Sequence, residues 1–143
     1  MMMKPTPSHP LLRYGELNYS APQRLITLKW LAESARMTES EFKQLSLLYV
    51  DFVEQYRCPN VLIDLRELNY IISPEEQQWS ASTVFPRVYK AGQRRVAYIV
   101  NTDLVTQLSV EQAMEEREGA WFDTQYFDNI AQAYQWFDMP RMD

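Results

Sequence analysis

The stretch Asn60 to Glu76, NVLIDLRELNYIISPEE, constrains the fold more than any other part of the chain. Val61, Leu62, Ile63 and Leu65 form a nearly continuous apolar run closed by Asp64, the pattern of a central strand covered on both faces. Ser73-Pro74-Glu75-Glu76 then supplies an oxygen-bearing cap, a proline where the first helical residue needs no N–H, and a carboxylate able to reach back to the cap. A buried strand must therefore pass directly into a helix, which is half of a β-α-β unit.

Similar units flank it. Leu11 to Ser20 alternates loosely and Arg24 to Leu31 more clearly; with Ala21-Pro22-Gln23 between them they read as an antiparallel hairpin. Thr38-Glu39-Ser40-Glu41 is a capping box opening the longest helix, about 38–57, with Phe42, Leu45, Tyr49 and Tyr56 at helical spacing, Arg57 in the last turn and Pro59 beyond. The helix from 74 to about 91 contains Pro86, which removes a donor and disfavours helical geometry at Phe85, so a kink or two pieces, 74–84 and 86–91, are expected. Lys90 and Gly92 form its C-terminal signal.

Arg95 to Val100 is the next strand. Leu104, Val105 and Leu108 suggest a short helical piece, and Ser109 caps a further helix running to Gly119. Trp121 to Phe127 is the last strand, and Asp128 caps a terminal helix with Ile130, Ala133, Tyr134 and Phe137 on its apolar stripe. The alternation predicts an α/β fold: a mostly parallel sheet of about five strands with an N-terminal antiparallel hairpin and four or five helices. Residues 1–10, polar and proline-rich, read as a disordered leader, and 11–143 as one domain.

Composition narrows the chemistry. A formal charge of -5 opposes phosphate-backbone binding, so no nucleic acid is expected. Cys58 is the only cysteine and His9, in the leader, the only histidine, which excludes an internal disulfide, a Cys/His zinc cluster and a Cys-His or Ser-His pair held within one fold. Gly15, Gly92 and Gly119 are too far apart for a phosphate-cradling loop. No apolar run is long enough to span a bilayer and no secretory h-region is present, so a cytoplasmic location without integral membrane association is expected. Neither a metal nor a cofactor is implied.

VLIDLRELNYIISPEEQQW, GQRRVAYIVN and FDNIAQAYQWF together resemble the SpoIIAA-like branch of the STAS domains, akin to the lipid-binding CRAL-TRIO fold, over roughly residues 11–138. The resemblance implies a small sheet wound by successive strand-helix units, a (βα)n arrangement. In anti-sigma-factor antagonists of that family the strand leads to an Asp-Ser-Ser-Gly turn whose second serine is phosphorylated. That turn falls on Ile72-Ser73-Pro74-Glu75, so Ser73 takes the place of the first serine and Pro74 that of the phosphoacceptor, which is lost. Switching by that phosphorylation is not implied for this chain.

The candidate sites each carry a structural alternative. Trp30, Trp79, Phe85 and Tyr89 either line an apolar pocket between the kinked helix and the sheet or simply pack the core. Arg87 and Arg94, with Lys90 and Arg95, either receive an anionic head group or complement the helix dipole. Asp64 stands where ligands of parallel sheets bind, yet an Asp bonding nearby backbone N–H groups explains it as well, and no partner for acid–base work is identified. With no catalytic constellation, the expected function is a non-enzymatic regulatory or protein-interaction module acting through a homodimer or a protein partner. The alternative is a carrier or sensor for a small apolar or lipid-like ligand.

Overall fold

The computed structural model describes residues 2–3, 9–100 and 121–138. The helical pieces expected at 104–108 and 109–119 lie outside the described residues. The order is β1 (Met2–Met3), a 3-10 turn (Pro10–Arg13), β2 (Gly15–Ser20), β3 (Leu25–Trp30), a second 3-10 turn (Ala32–Arg36) and α1 (Glu39–Tyr56). There follow β4 (Asn60–Asp64), α2 (Pro74–Trp79), a π turn (Ser80–Val84), α3 (Phe85–Ala91), β5 (Arg95–Ile99), β6 (Asp123–Phe127) and α4 (Ile130–Phe137).

These strands form one mixed sheet in sequential order, five long strands plus the two-residue β1. β1, β2 and β3 pair antiparallel, and β3 through β6 run parallel. The register aligns Leu25 with Asn60 and Asn60 with Arg95, so successive parallel strands begin 35 residues apart (25, 60, 95). The first two strand–helix units thus consume the same length of chain before returning to the neighbouring position, whereas β6 pairs Asp123 with Arg95 after 28 residues (95, 123), and the units share no sequence repeat.

Alternation along the strands sends side chains to two different helical layers. Ile26, Leu28, Trp30, Val61, Ile63, Val96 and Tyr98 face the layer of α1 and the α2–α3 helix, where they meet Phe42, Leu45, Tyr49, Val53, Val84 and Val88. Leu25, Leu62, Ala97 and Ile99 face the opposite side and are covered by Ala133 and Phe137 of α4. This is why β4 and β5 are apolar at almost every position while β3 tolerates Thr27 and Lys29. Arg95 fastens α4, donating to the Trp136 carbonyl at 2.6 Å with its guanidinium 4.3 Å from the Trp136 ring centroid.

The helix starts follow the chemistry of their caps. Thr38 Oγ1 accepts from the Glu41 N–H at 3.1 Å while Glu41 Oε1 accepts from the Thr38 N–H at 2.9 Å. α1 ends at Arg57, in the left-handed region at φ 48°. Gly92, at φ 118°, closes α3 with its N–H donating to Tyr89 O, a conformation that strongly favours glycine. The cap of α4 is Asn129 and not Asp128 as expected: Asn129 Oδ1 accepts from the Gln132 N–H at 2.9 Å, and Ile130 is the first helical residue.

Pro86 does not push Phe85 out of the helical region as expected. Phe85 is helical (φ -60°, ψ -44°), and its N–H donates to Ser80 O five residues back. A regular turn would press the Pro86 ring against the Ser82 carbonyl and leave that carbonyl without its donor. The π turn widens the helix by one residue at that place and lets the chain continue to Ala91.

Candidate apolar ligand site

The widened turn stands over the carboxyl-terminal half of the parallel strands, where ligands of open α/β sheets bind. Beneath it lies a cavity of about 100 Å³. The sheet contributes Leu28, Trp30, Ile63 and Tyr98, and α1 contributes Phe42, Ser46 and Tyr49. The β4–α2 connection adds Leu65, Leu68 and Ile72, and the helix above adds Ser80, Val84 and Phe85. Ser46, Ile72, Ser80 and Phe85 are the half-buried members of the wall; the others are buried.

The connection that forms one side is held by specific bonds. Leu65 N–H donates to Ile99 O at 2.7 Å, continuing the β4–β5 ladder one residue past the strand. The Asn69 N–H donates to Ser34 Oγ at 2.9 Å, Gln77 Nε2 donates to Ile72 O at 3.1 Å, and the Tyr70 hydroxyl donates to the Glu76 carboxylate. Burial, followed by that bond to Glu76, pushes the Tyr70 hydroxyl well above its ordinary value and keeps it protonated as a donor. Glu76 itself closes the second capping box: Ser73 Oγ accepts from its N–H at 3.1 Å and its Oε1 accepts from the Ser73 N–H at 2.9 Å. Ser73 is therefore engaged as a cap, with Pro74 in the first turn of α2.

Two polar groups on the wall are directed at protein partners. Ser46 Oγ donates to Phe42 O at 2.8 Å, and the Tyr49 hydroxyl donates to the buried Gln93 side chain. Tyr98 is stacked on Tyr126, with ring centroids 5.3 Å apart. Burial pushes the Tyr49 and Tyr98 hydroxyls far up, so both stay neutral. A smaller cavity of about 40 Å³ adjoins the first along β5 and shares Tyr49, Ile63, Phe85 and Tyr98 with it.

Of the residues singled out from the sequence, Trp30 and Phe85 line the cavity. Trp79 lies outside it, edge-on to Phe42 at 6.5 Å and under the Lys43 ammonium. Tyr89 packs between Trp121 and Phe122, with the Arg94 guanidinium 3.9 Å from its centroid. Arg94 also donates to the Tyr89 and Gln93 carbonyls at 2.6 and 2.7 Å. Arg87 makes a two-point pair with Glu54 (2.8 and 3.2 Å) and lies 3.6 Å from Asp51. Neither arginine is among the residues lining the cavity.

Asp64 serves Arg66. Its carboxylate accepts from the Arg66 backbone N–H at 3.1 Å and from the guanidinium at 3.0 and 2.7 Å. Among the described residues no group of three His, Cys, Asp or Glu is placed to hold a metal ion, and no helix is long and apolar enough to cross a membrane.

Val84, Tyr49, Tyr98, Leu65 and Leu68 were not among the sequence candidates for a site. The only local signals for them were an apolar pair in the β4–α2 connection and a proline six residues after Ser80. Comparison with family models, with curated proteins and with solved structures finds no match. The geometry defines an α/β protein with a mixed sheet and an apolar cavity under a π turn.

Proposed function

We propose that this protein is a non-enzymatic regulatory module of the SpoIIAA-like kind that senses or carries a small apolar molecule. The observation that carries the reading is the cavity of about 100 Å³ at the carboxyl-terminal half of the parallel strands, roofed by a π turn. Two general tendencies support it: π turns concentrate at functional positions, and small-molecule sites are concave, mostly apolar and few per protein. The engagement of Asp64 with Arg66 and of Ser73 with Glu76 supports the non-enzymatic part, since both groups are committed to structure. The sequential strand order supports kinship with a sheet wound by successive strand–helix units.

Native mass spectrometry of the gently purified chain, paired with thermal unfolding against a panel of small apolar compounds, tests the proposal. The expected result is a bound species released on unfolding, or a rise in Tm with at least one compound; a ligand at 100 times its Kd adds about 2.7 kcal/mol. An empty protein whose Tm no compound moves refutes it.

A second reading, an interaction module acting through self-association, draws on Ile71. This side chain is 62% exposed on the same connection whose Ile72 lines the cavity. Sedimentation of the wild type and Ile71→Lys tests it: a dimer weakened by the substitution supports the reading, and a monomer at all concentrations refutes it.

A further inference from the structure

Resting on the ligand-binding reading above, we infer that the occupant is an uncharged apolar molecule about the size of one aromatic ring, and that Phe85 is the partition that limits its length. Three observations lead there.

The first is charge. None of the lining side chains is an Asp, Glu, Lys, Arg or His. The nearby guanidinium groups that would suit an anionic head are spent elsewhere, Arg87 on Glu54 and Arg94 on the Tyr89 and Gln93 carbonyls. The Ser46 and Tyr49 hydroxyls already donate to Phe42 O and to Gln93. A carboxylate placed here would lose its water without gaining a cation, which is the costliest burial there is. The interior of the site therefore disfavours a carboxylate or other anionic group by desolvation.

The second is size. A cavity of about 150 Å³ lined by aliphatic and aromatic side chains takes up one benzene, whereas pockets for drug-sized ligands run from about 300 Å³ upward. The cavities here, about 100 and about 40 Å³, fall in the lower class even when joined. Five rings in the wall, Trp30, Phe42, Tyr49, Phe85 and Tyr98, offer faces and edges to a flat ligand.

The third is the wall between the two spaces. Four residues border both, Tyr49, Ile63, Phe85 and Tyr98, and of these Phe85 alone comes from the helix above and is half-buried, so its ring is the part of the division that truncation can remove without altering the sheet or α1. It is held from two directions: its N–H closes the π turn on Ser80 O, and its ring lies edge-on to Phe122 at 5.9 Å and 81°. A shorter side chain at 85 opens one cavity into the other.

Titration calorimetry of the full chain with toluene, benzoate and naphthalene at neutral pH, repeated with Phe85→Ala and Phe85→Leu, tests the inference. Toluene and benzoate differ little in size and wholly in charge. The wild type is expected to bind toluene, to bind benzoate at least about 100-fold more weakly, and to give no heat with naphthalene; either Phe85 variant is expected to gain naphthalene binding. Benzoate binding as tightly as toluene, or naphthalene binding to the wild type, overturns the inference while leaving a ligand-binding function intact. A variant that folds and still excludes naphthalene overturns the role of Phe85. Silence with all three, together with an unmoved Tm across the wider panel, overturns the ligand-binding reading itself. The wild-type comparison needs no variant to fold.

Discussion

Replacing Val84 by leucine puts the cavity to a quantitative trial. Val84 is 5% exposed and forms part of the roof. Leucine adds one methylene directed at that space, worth about 0.8 kcal/mol, and its helix propensity exceeds that of valine by a few tenths of a kcal/mol. The variant is therefore expected to be more stable by about 1 kcal/mol, a Tm rise of about 4 °C for a chain of this length. The same substitution occupies space a ligand would use, so stabilisation by toluene should fall sharply. Urea unfolding at constant m reports the first quantity and ligand-dependent Tm the second. A loss of 1–3 kcal/mol, the ordinary result of overpacking a closed core, would mean that Val84 faces a filled wall and would refute the reasoning.

Two further outcomes follow from the same structure. Ser73→Ala removes the oxygen that accepts from Glu76 N–H and should cost about 1 kcal/mol; Ser73→Asp restores an acceptor and should recover most of it, so equal losses in urea unfolding would show that the cap does not matter. Tyr98 has its hydroxyl pushed well above its ordinary value, first by burial, so the folded state holds that proton more tightly than the unfolded chain. Its stabilising contribution is complete below about pH 10 and is lost as pH rises from there through the folded value. Urea midpoints should therefore decline above about pH 10, less steeply in Tyr98→Phe, with Tyr49 acting in the same direction; midpoints level to pH 11 would contradict this.

The elements whose signals are local were legible in the chain. The Thr38 and Ser73 boxes, the apolar runs of β4 and β5 and the hairpin all depend on residues within a few positions of one another, and all are present. Pro86 was readable as a disturbance, but whether a proline breaks a helix or widens it is decided by packing. Here Val84 and Val88 are buried in the core on either side of it, and the chain stays helical through a π turn. Asn129 over Asp128 was a choice between two competent caps one residue apart.

The site was less legible because it is a tertiary product. Trp30 and Phe85 were identified as aromatic, but Tyr49 and Tyr98 are 49 residues apart in sequence (49, 98) and meet only through the stacking of α1 on β5. Conversely, Trp79, Arg87 and Tyr89 share the continuous helical stretch with Phe85, and Arg94 follows just beyond its cap, yet all four point to other neighbours. A proline-widened helix rotates the residues beyond it relative to a regular one, so simple helical spacing misassigns which of them share a face.

An apolar cavity lies beneath Ser80–Val84, and xenon reports such a space directly because it binds where no polar group competes. Diffraction from crystals held under xenon pressure should show one principal atom bounded by Trp30, Phe42, Val84 and Phe85, weakened or absent in Val84→Leu. No xenon there, or ordered water making hydrogen bonds in its place, would contradict the account.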